Sequence, residues 1–318
     1  MTGSQMSMGS VLIEALALML WAAPPYIYAA IGEIFAQRSG VLNLGVEGIM
    51  LMGAFSAIYV VADVPKGLGL DPIIGLLVAM GVGGLMGLLM AVVSVTFKGE
   101  QGISGIGLTL FGLGLSSLLF KALAGGVITA TGFQRIFIPV LSDLPIIGKI
   151  LFQQNIIVYT AFALVPIAWW VLNRTTWGLQ IRAVGQNPKA ADAMGVNVTR
   201  VRYATVILGG ILAGVAGASL SIALTPIFQE NMTEGRGFIA VALVYFGGWS
   251  PFRAMLGALL FSLANNLQIW AQILNVPIQA NLLIMAPYVL TIVVLIFARQ
   301  RQNLEPAALT KPFERGEN

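Results

Sequence analysis

Apolar runs of about twenty residues recur along this chain, at 11–31, 40–62, 72–97, 101–123, 156–172, 203–224, 238–249, 254–272 and 280–298. Coiled as helices, runs of that length match the hydrocarbon thickness of a bilayer, where each helix satisfies its own backbone hydrogen bonds. The chain therefore reads as all-α, a polytopic transmembrane helical bundle of about nine spans. Eight or ten are the limits, set by the run bent at Pro24 and Pro25 and by the short run at 238–249. The first run has no basic leader or small-residue cleavage site and is expected to be retained as a helix. Composition fits: 58% of the 318 residues are hydrophobic and only 9% charged, against roughly a quarter charged in soluble domains.

One stretch breaks the pattern. Residues 173–202 carry Arg174, Arg182, Lys189, Arg200 and Arg202 against the single acid Asp192, so this island has to lie in water. Within it Asn187 can cap a helix, Pro188 suits the first helical position, and Gly195 suits a left-handed stop. At about 100° per residue, Ala190, Ala191 and Met194 share one side of the resulting short helix. Lys189 and Asp192 take the other, with Ala193 close to Lys189. Such a mostly small apolar face either lies on lipid headgroups or docks on a partner protein. The side holding the island collects twelve of the seventeen basic residues, which places it in the cytoplasm, with the amino terminus outside and residues 299–318 as a cytoplasmic tail.

Few polar groups interrupt the spans. Glu14 is the one charge of the first run, and Glu33 to Ser39 reads as a short polar connection. Asn43 and Glu47 are four apart and would share a helix face; they either line a transport path, or tie helices together and cap a broken half-helix. Asn265, Asn266, Gln268 and Gln272 form an amide cluster that either bonds neighbouring helices or meets a polar solute. With no cysteine and no histidine there is no thiol nucleophile, no thiolate metal site and no neutral-pH imidazole, so no catalytic residues, metal or cofactor are expected. Basic charge in such a chain reports orientation, and nucleic acid is not an expected partner. Gly148-Lys149 is followed by Ile150, so no phosphate-cradling loop is present and the chain cannot hydrolyse ATP by itself.

Three blocks carry a family resemblance. Gly40-Val41-Leu42-Asn43-Leu44-Gly45-Val46-Glu47-Gly48 and its continuation to Ala54 resemble the permease subunits of bacterial nucleoside-type ABC importers. Gly185-Gln186-Asn187-Pro188, with Ala190-Ala191 and Gly195, is similar to the cytoplasmic coupling loop of the wider group, which includes ribose-type sugar and branched-chain amino-acid permeases. Gly235-Arg236-Gly237-Phe238 and its continuation to Leu243 resemble a third shared block. The resemblance implies a permease domain at 1–298 with its coupling loop at 174–202. It further implies a separate cytoplasmic ATP-binding subunit, a paralogous permease as heterodimer partner, an external substrate-binding lipoprotein, and a multi-pass place in the bacterial inner membrane. Substrate would pass by alternating access, with Asn43, Glu47, Asn265 and Asn266 as candidate lining and Asn187, Pro188, Ala190, Ala191, Met194 and Gly195 as the coupling contact. The competing readings are a sugar or amino-acid permease, and an ion-coupled transporter or channel using Glu14 or Glu47.

Overall fold

A computed structural model describes residues 8–63, 71–139, 141, 142, 144, 146–273, 285, 289, 292 and 305–315. The expected last run at 280–298 lies almost wholly outside them, as do the side chains of Gln268 and Gln272.

The chain begins as α1 (Met8–Ala22) and α2 (Pro24–Arg38), which meet at a 40° bend. Pro24 and Pro25 cause it, because neither has an amide hydrogen to continue the ladder of α1. The polar connection expected from Glu33 is instead helix: α2 runs to Arg38, with Glu33 and Gln37 fully buried in it. Their side chains are tied by a 3.0 Å bond from Gln37 Nε2 to Glu33 Oε1, which offsets the burial of two polar groups.

The centre is built from α3 (Val46–Asp63) and α10 (Val198–Ala218), whose apolar windows are each 78% buried. Outside them stand α4 (Asp71–Ala91) and α5 (Gln101–Leu119), 33% and 28% buried, which turn rows of leucine and isoleucine outward. Glycine sets the distance between the inner helices. A Cβ on Gly214 of α10 would lie 2.2 Å from the carbonyl oxygen of Ala79 in α4, and one on Gly217 would lie 1.9 Å from that of Met50 in α3. Backbones this close lose little to lipid and gain dispersion along their length.

At one end β1 (Ile128–Thr129) pairs antiparallel with β2 (Ile227–Phe228), beside the short α6 (Ile147–Leu151). From there α7 (Ile156–Arg174) returns to the basic end, where α8 (Thr176–Gln186) and α9 (Pro188–Ala193) form the island. After α10 come α11 (Arg236–Gly247) and α12 (Pro251–Ile273). Five described helices are long and apolar enough to cross a bilayer, six with the bent α1–α2 pair. Of the nine expected, the others are α11 at 12 residues, too short to cross alone, α12, whose side chains are described only as far as Leu267, and the last run.

Candidate functional site

The island folds as its local signals dictate. Thr175 Oγ1 accepts from the amide of Gly178 at 3.1 Å to start α8, and Asn187 Oδ1 accepts from the amide of Ala190 at 3.0 Å to start α9. Pro188 occupies the first turn, and Gly195 stops the helix at φ +85°. The expected docking face is corrected in one respect. Ala191 is 4% exposed and packs into the chain's own core, because a six-residue helix has to be pinned by its own protein, and Ala191 is the position that turns inward. The outward surface is Lys189, Ala190, Ala193, Met194 and Gly195, and Met194 is 84% exposed, more than any other large hydrophobic among the described residues.

The tail returns to this same place. Ala308 N donates to Gly185 O at 2.9 Å, Arg202 Nη1 to Lys311 O at 3.0 Å, and Arg315 Nε to Asp192 Oδ2 at 3.0 Å, while Lys98 pairs with Glu314. Arg202 is itself 1% exposed, so the tail carbonyl supplies an acceptor that water cannot.

Inside the bundle, Asn43 and Glu47 do not share a helix face, since residues 40–45 are non-helical and α3 begins only at Val46. The glycines and Asn43 keep that segment irregular: Asn43 Oδ1 accepts from its own chain at Gly45 N, 2.9 Å away, a local turn that competes with helix. Thr109 Oγ1 donates to Leu44 O at 3.0 Å, and Thr109 stands eight residues into α5, ~12 Å along its axis. Glu47, in the first turn of α3, therefore lies partway along α5 rather than at its end.

There its carboxylate receives three donors. Thr233 Oγ1 reaches Oε1 at 2.5 Å, Gly235 N reaches Oε1 at 2.8 Å, and Gly237 N reaches Oε2 at 2.6 Å. The last two are backbone amides at the start of α11, so Glu47, 4% exposed, caps that short helix from inside the bundle, with the Thr233 hydroxyl as its third donor. Below it the backbone amide of Asn43 donates to Glu33 Oε1 at 2.9 Å, and Trp249 Nε1 donates to Gln37 Oε1 at 2.8 Å. Glu33 thus joins the site, although the sequence places it in a short polar connection; its i, i+4 spacing with Gln37 is the signal the sequence offers.

The remaining candidates lie apart. Asn266, 6% exposed, bonds within α12 to Ser262 O at 2.9 Å, and Asn265 is half-buried beside it. No hydrogen bond among the described residues joins them to Asn43 or Glu47. Glu14 is exposed at a cavity of about 390 Å³ lined by Trp21, Arg135, Lys149, Gln153 and Gln154. Among the described residues no group of three or more acidic side chains could hold a metal.

A bundle of apolar helices with a short helix capped from inside and a second capped helix presented at the basic end fits a transporter subunit. The chain belongs to the family described as branched-chain amino acid transport system / permease component, which matches residues 15–298. It is 37% identical to the guanosine ABC transporter permease protein NupQ of Bacillus subtilis, over 86% of this chain and 88% of that one. The nucleoside ABC transporter permease protein NupC of Lactococcus lactis is also 37% identical, over 87% and 89%. The putative glucose ABC transporter permease protein TsgC13 of Haloferax volcanii is 40% identical, over 82% and 78%. No solved structure matches the chain. It is a multi-pass membrane protein of the ABC permease type, a transport component.

Proposed function

We propose that this chain is a membrane-spanning subunit of an ATP-driven importer that carries nucleosides across the bacterial cytoplasmic membrane by alternating access. The observation that carries the coupling to ATP is Met194, an apolar knob on a capped helix at the watery, basic end. Burying such a side chain contributes about 1.5–3 kcal/mol, which favours a groove on a partner over water. Its occupant is the ATP-binding subunit, since the chain has no phosphate loop of its own. Asn187 and Pro188 start the coupling helix, Ala191 seats it, Gly195 ends it, and Ala190 and Met194 make the contact. A paralogous permease and an external substrate-binding lipoprotein complete the assembly, with residues 1–298 as the permease domain and 299–318 on the cytoplasmic side.

Among the interior residues, Asn43, Glu47 and Asn266 act by holding helix ends and turns beside the path, and Asn265 offers its amide to the solute. The nucleoside reading rests on the 40–54 block and on the names of two relatives. A sugar is the second reading, favoured by the glucose name of the third. Competition uptake separates them. In cells expressing the complete transporter, labelled guanosine should enter and be displaced by other nucleosides but not by glucose. Uptake of labelled glucose that guanosine does not inhibit would assign the sugar instead.

A further inference from the structure

Residues 229–235 connect β2 to α11 without helix, and they run inward from the end of the 101–123 helical run, where Glu230 pairs with Lys121 at 3.2 Å, to Glu47, which Thr233 and Gly235 bond inside the bundle. Asn231, Glu234 and Gly235 take left-handed backbone angles of +57°, +47° and +82°. Glu234 lies between the two residues that bond Glu47, yet its side chain is 67% exposed. Its one ion-pair partner among the described residues is Arg236, at 3.7 Å, which also donates to Met232 O at 3.2 Å. Asn231 is exposed, and Phe238, four residues after Glu234, is 43% exposed.

Hydrocarbon does not accept this face. Irregular backbone at membrane depth occurs only where protein buries it or where it lines a water-filled cavity, and an exposed carboxylate there is costly. The surfaces of α4 and α5 show the contrast, with Leu85, Leu110 and Leu118 exposed, as lipid contact requires. Burial under a second permease alone would strand Glu234 in protein with a single distant cation. Water resolves it. Of the amides at the start of α11, those of Gly235 and Gly237 donate to Glu47 and that of Arg236 to Thr233 O, so the polar groups that face outward are side chains.

We propose that Asn231, Glu234 and Phe238 line the outward-facing, water-filled part of the translocation path and are its solute-recognition residues. The proposal rests on the nucleoside reading above and deepens it. A carboxylate accepts from ribose hydroxyls, an amide both donates and accepts at a base edge, and an aromatic face stacks on the base. A neutral nucleoside matches all three. Arg236 fixes the carboxylate's position and balances its charge when no solute is bound.

The chain has no cysteine, so a single introduced thiol is its only reactive one. The test uses the full transporter in cells, with Asn231→Cys, Glu234→Cys and, as a lipid-facing control, Leu85→Cys, each exposed to a membrane-impermeant maleimide from outside. Labelling is read on this chain's band. The expected result is rapid labelling at 231 and 234, none at 85, and several-fold slowing at 231 and 234 by guanosine. No labelling at either position in a complex that still transports would overturn the proposal, as would labelling that no solute slows. Slowing by glucose and not by guanosine would keep the path and overturn the nucleoside reading. Two labelled positions keep the test valid if one variant fails to assemble.

Discussion

Glu47 is the residue on which the interior turns. A carboxylate at the start of a helix is favoured by the unpaired amides and by the helix dipole, and three donors at 2.5–2.8 Å make it a latch between α3 and α11. Glu47→Gln keeps the shape but turns one acceptor into a donor facing an amide. We predict a loss of about 1–3 kcal/mol, the range for stranding a buried polar group. It should be read as a lower melting temperature of the purified complex, with assembly retained. A variant as stable as the wild type would show that the charge is not the latch. At this scale the sequence was partly legible. Asn187, Pro188 and Gly195 were readable because a cap, a first-turn proline and a left-handed stop are local. Asn43 and Glu47 stand out in the sequence but do not share a helix, because a segment rich in glycine and asparagine can leave the helix at little cost. For Glu33 only the i, i+4 spacing with Gln37 is visible in the sequence; its contact with Asn43 and, through Gln37, the link to Trp249 follow no spacing rule.

At the scale of elements, α9 and the tail determine what the basic end can do. Ala191 faces inward, so Ala191→Glu would bury a charge in this chain's own core and disorder α9, a loss of fold rather than of docking. Met194→Asp is the sharper probe. We predict normal insertion and expression but loss of the co-purifying ATP-binding subunit, whereas Lys189→Ala, an exposed charge, should change the complex by no more than about 1 kcal/mol. Retention of the ATP-binding subunit by Met194→Asp would mean that another surface carries the docking. The tail had no reading from sequence beyond its side of the membrane, because its contacts run to Gly185, Asp192 and Arg202, more than a hundred residues away. Truncation before Glu305 should leave Arg202 short of an acceptor and lower the stability of the α8–α10 region by about 1–3 kcal/mol. Faster amide hydrogen exchange confined to α8, α9 and the start of α10 would show it; unchanged exchange would make the tail ornamental to this fold.

For the whole molecule, the helical class and membrane placement were visible in apolar runs that leave a chain few alternatives. The number of crossings was less so. A bent pair such as α1–α2 and a half-helix such as α11 have the composition of spans without the geometry of one. That irregularity suits a transporter, because helices broken near the middle can move one half against the other while α3, α4 and α10, locked through Gly214 and Gly217, move as a block. Energy for such movement has to come from outside the chain. The most direct measurement is uptake of labelled guanosine into proteoliposomes, with this chain alone, with its partner permease and ATP-binding subunit, and with the Met194→Asp form of that complex. Accumulation is predicted only in the wild-type complex and only with ATP. Uptake by the chain alone, or by the complex without ATP, would contradict it.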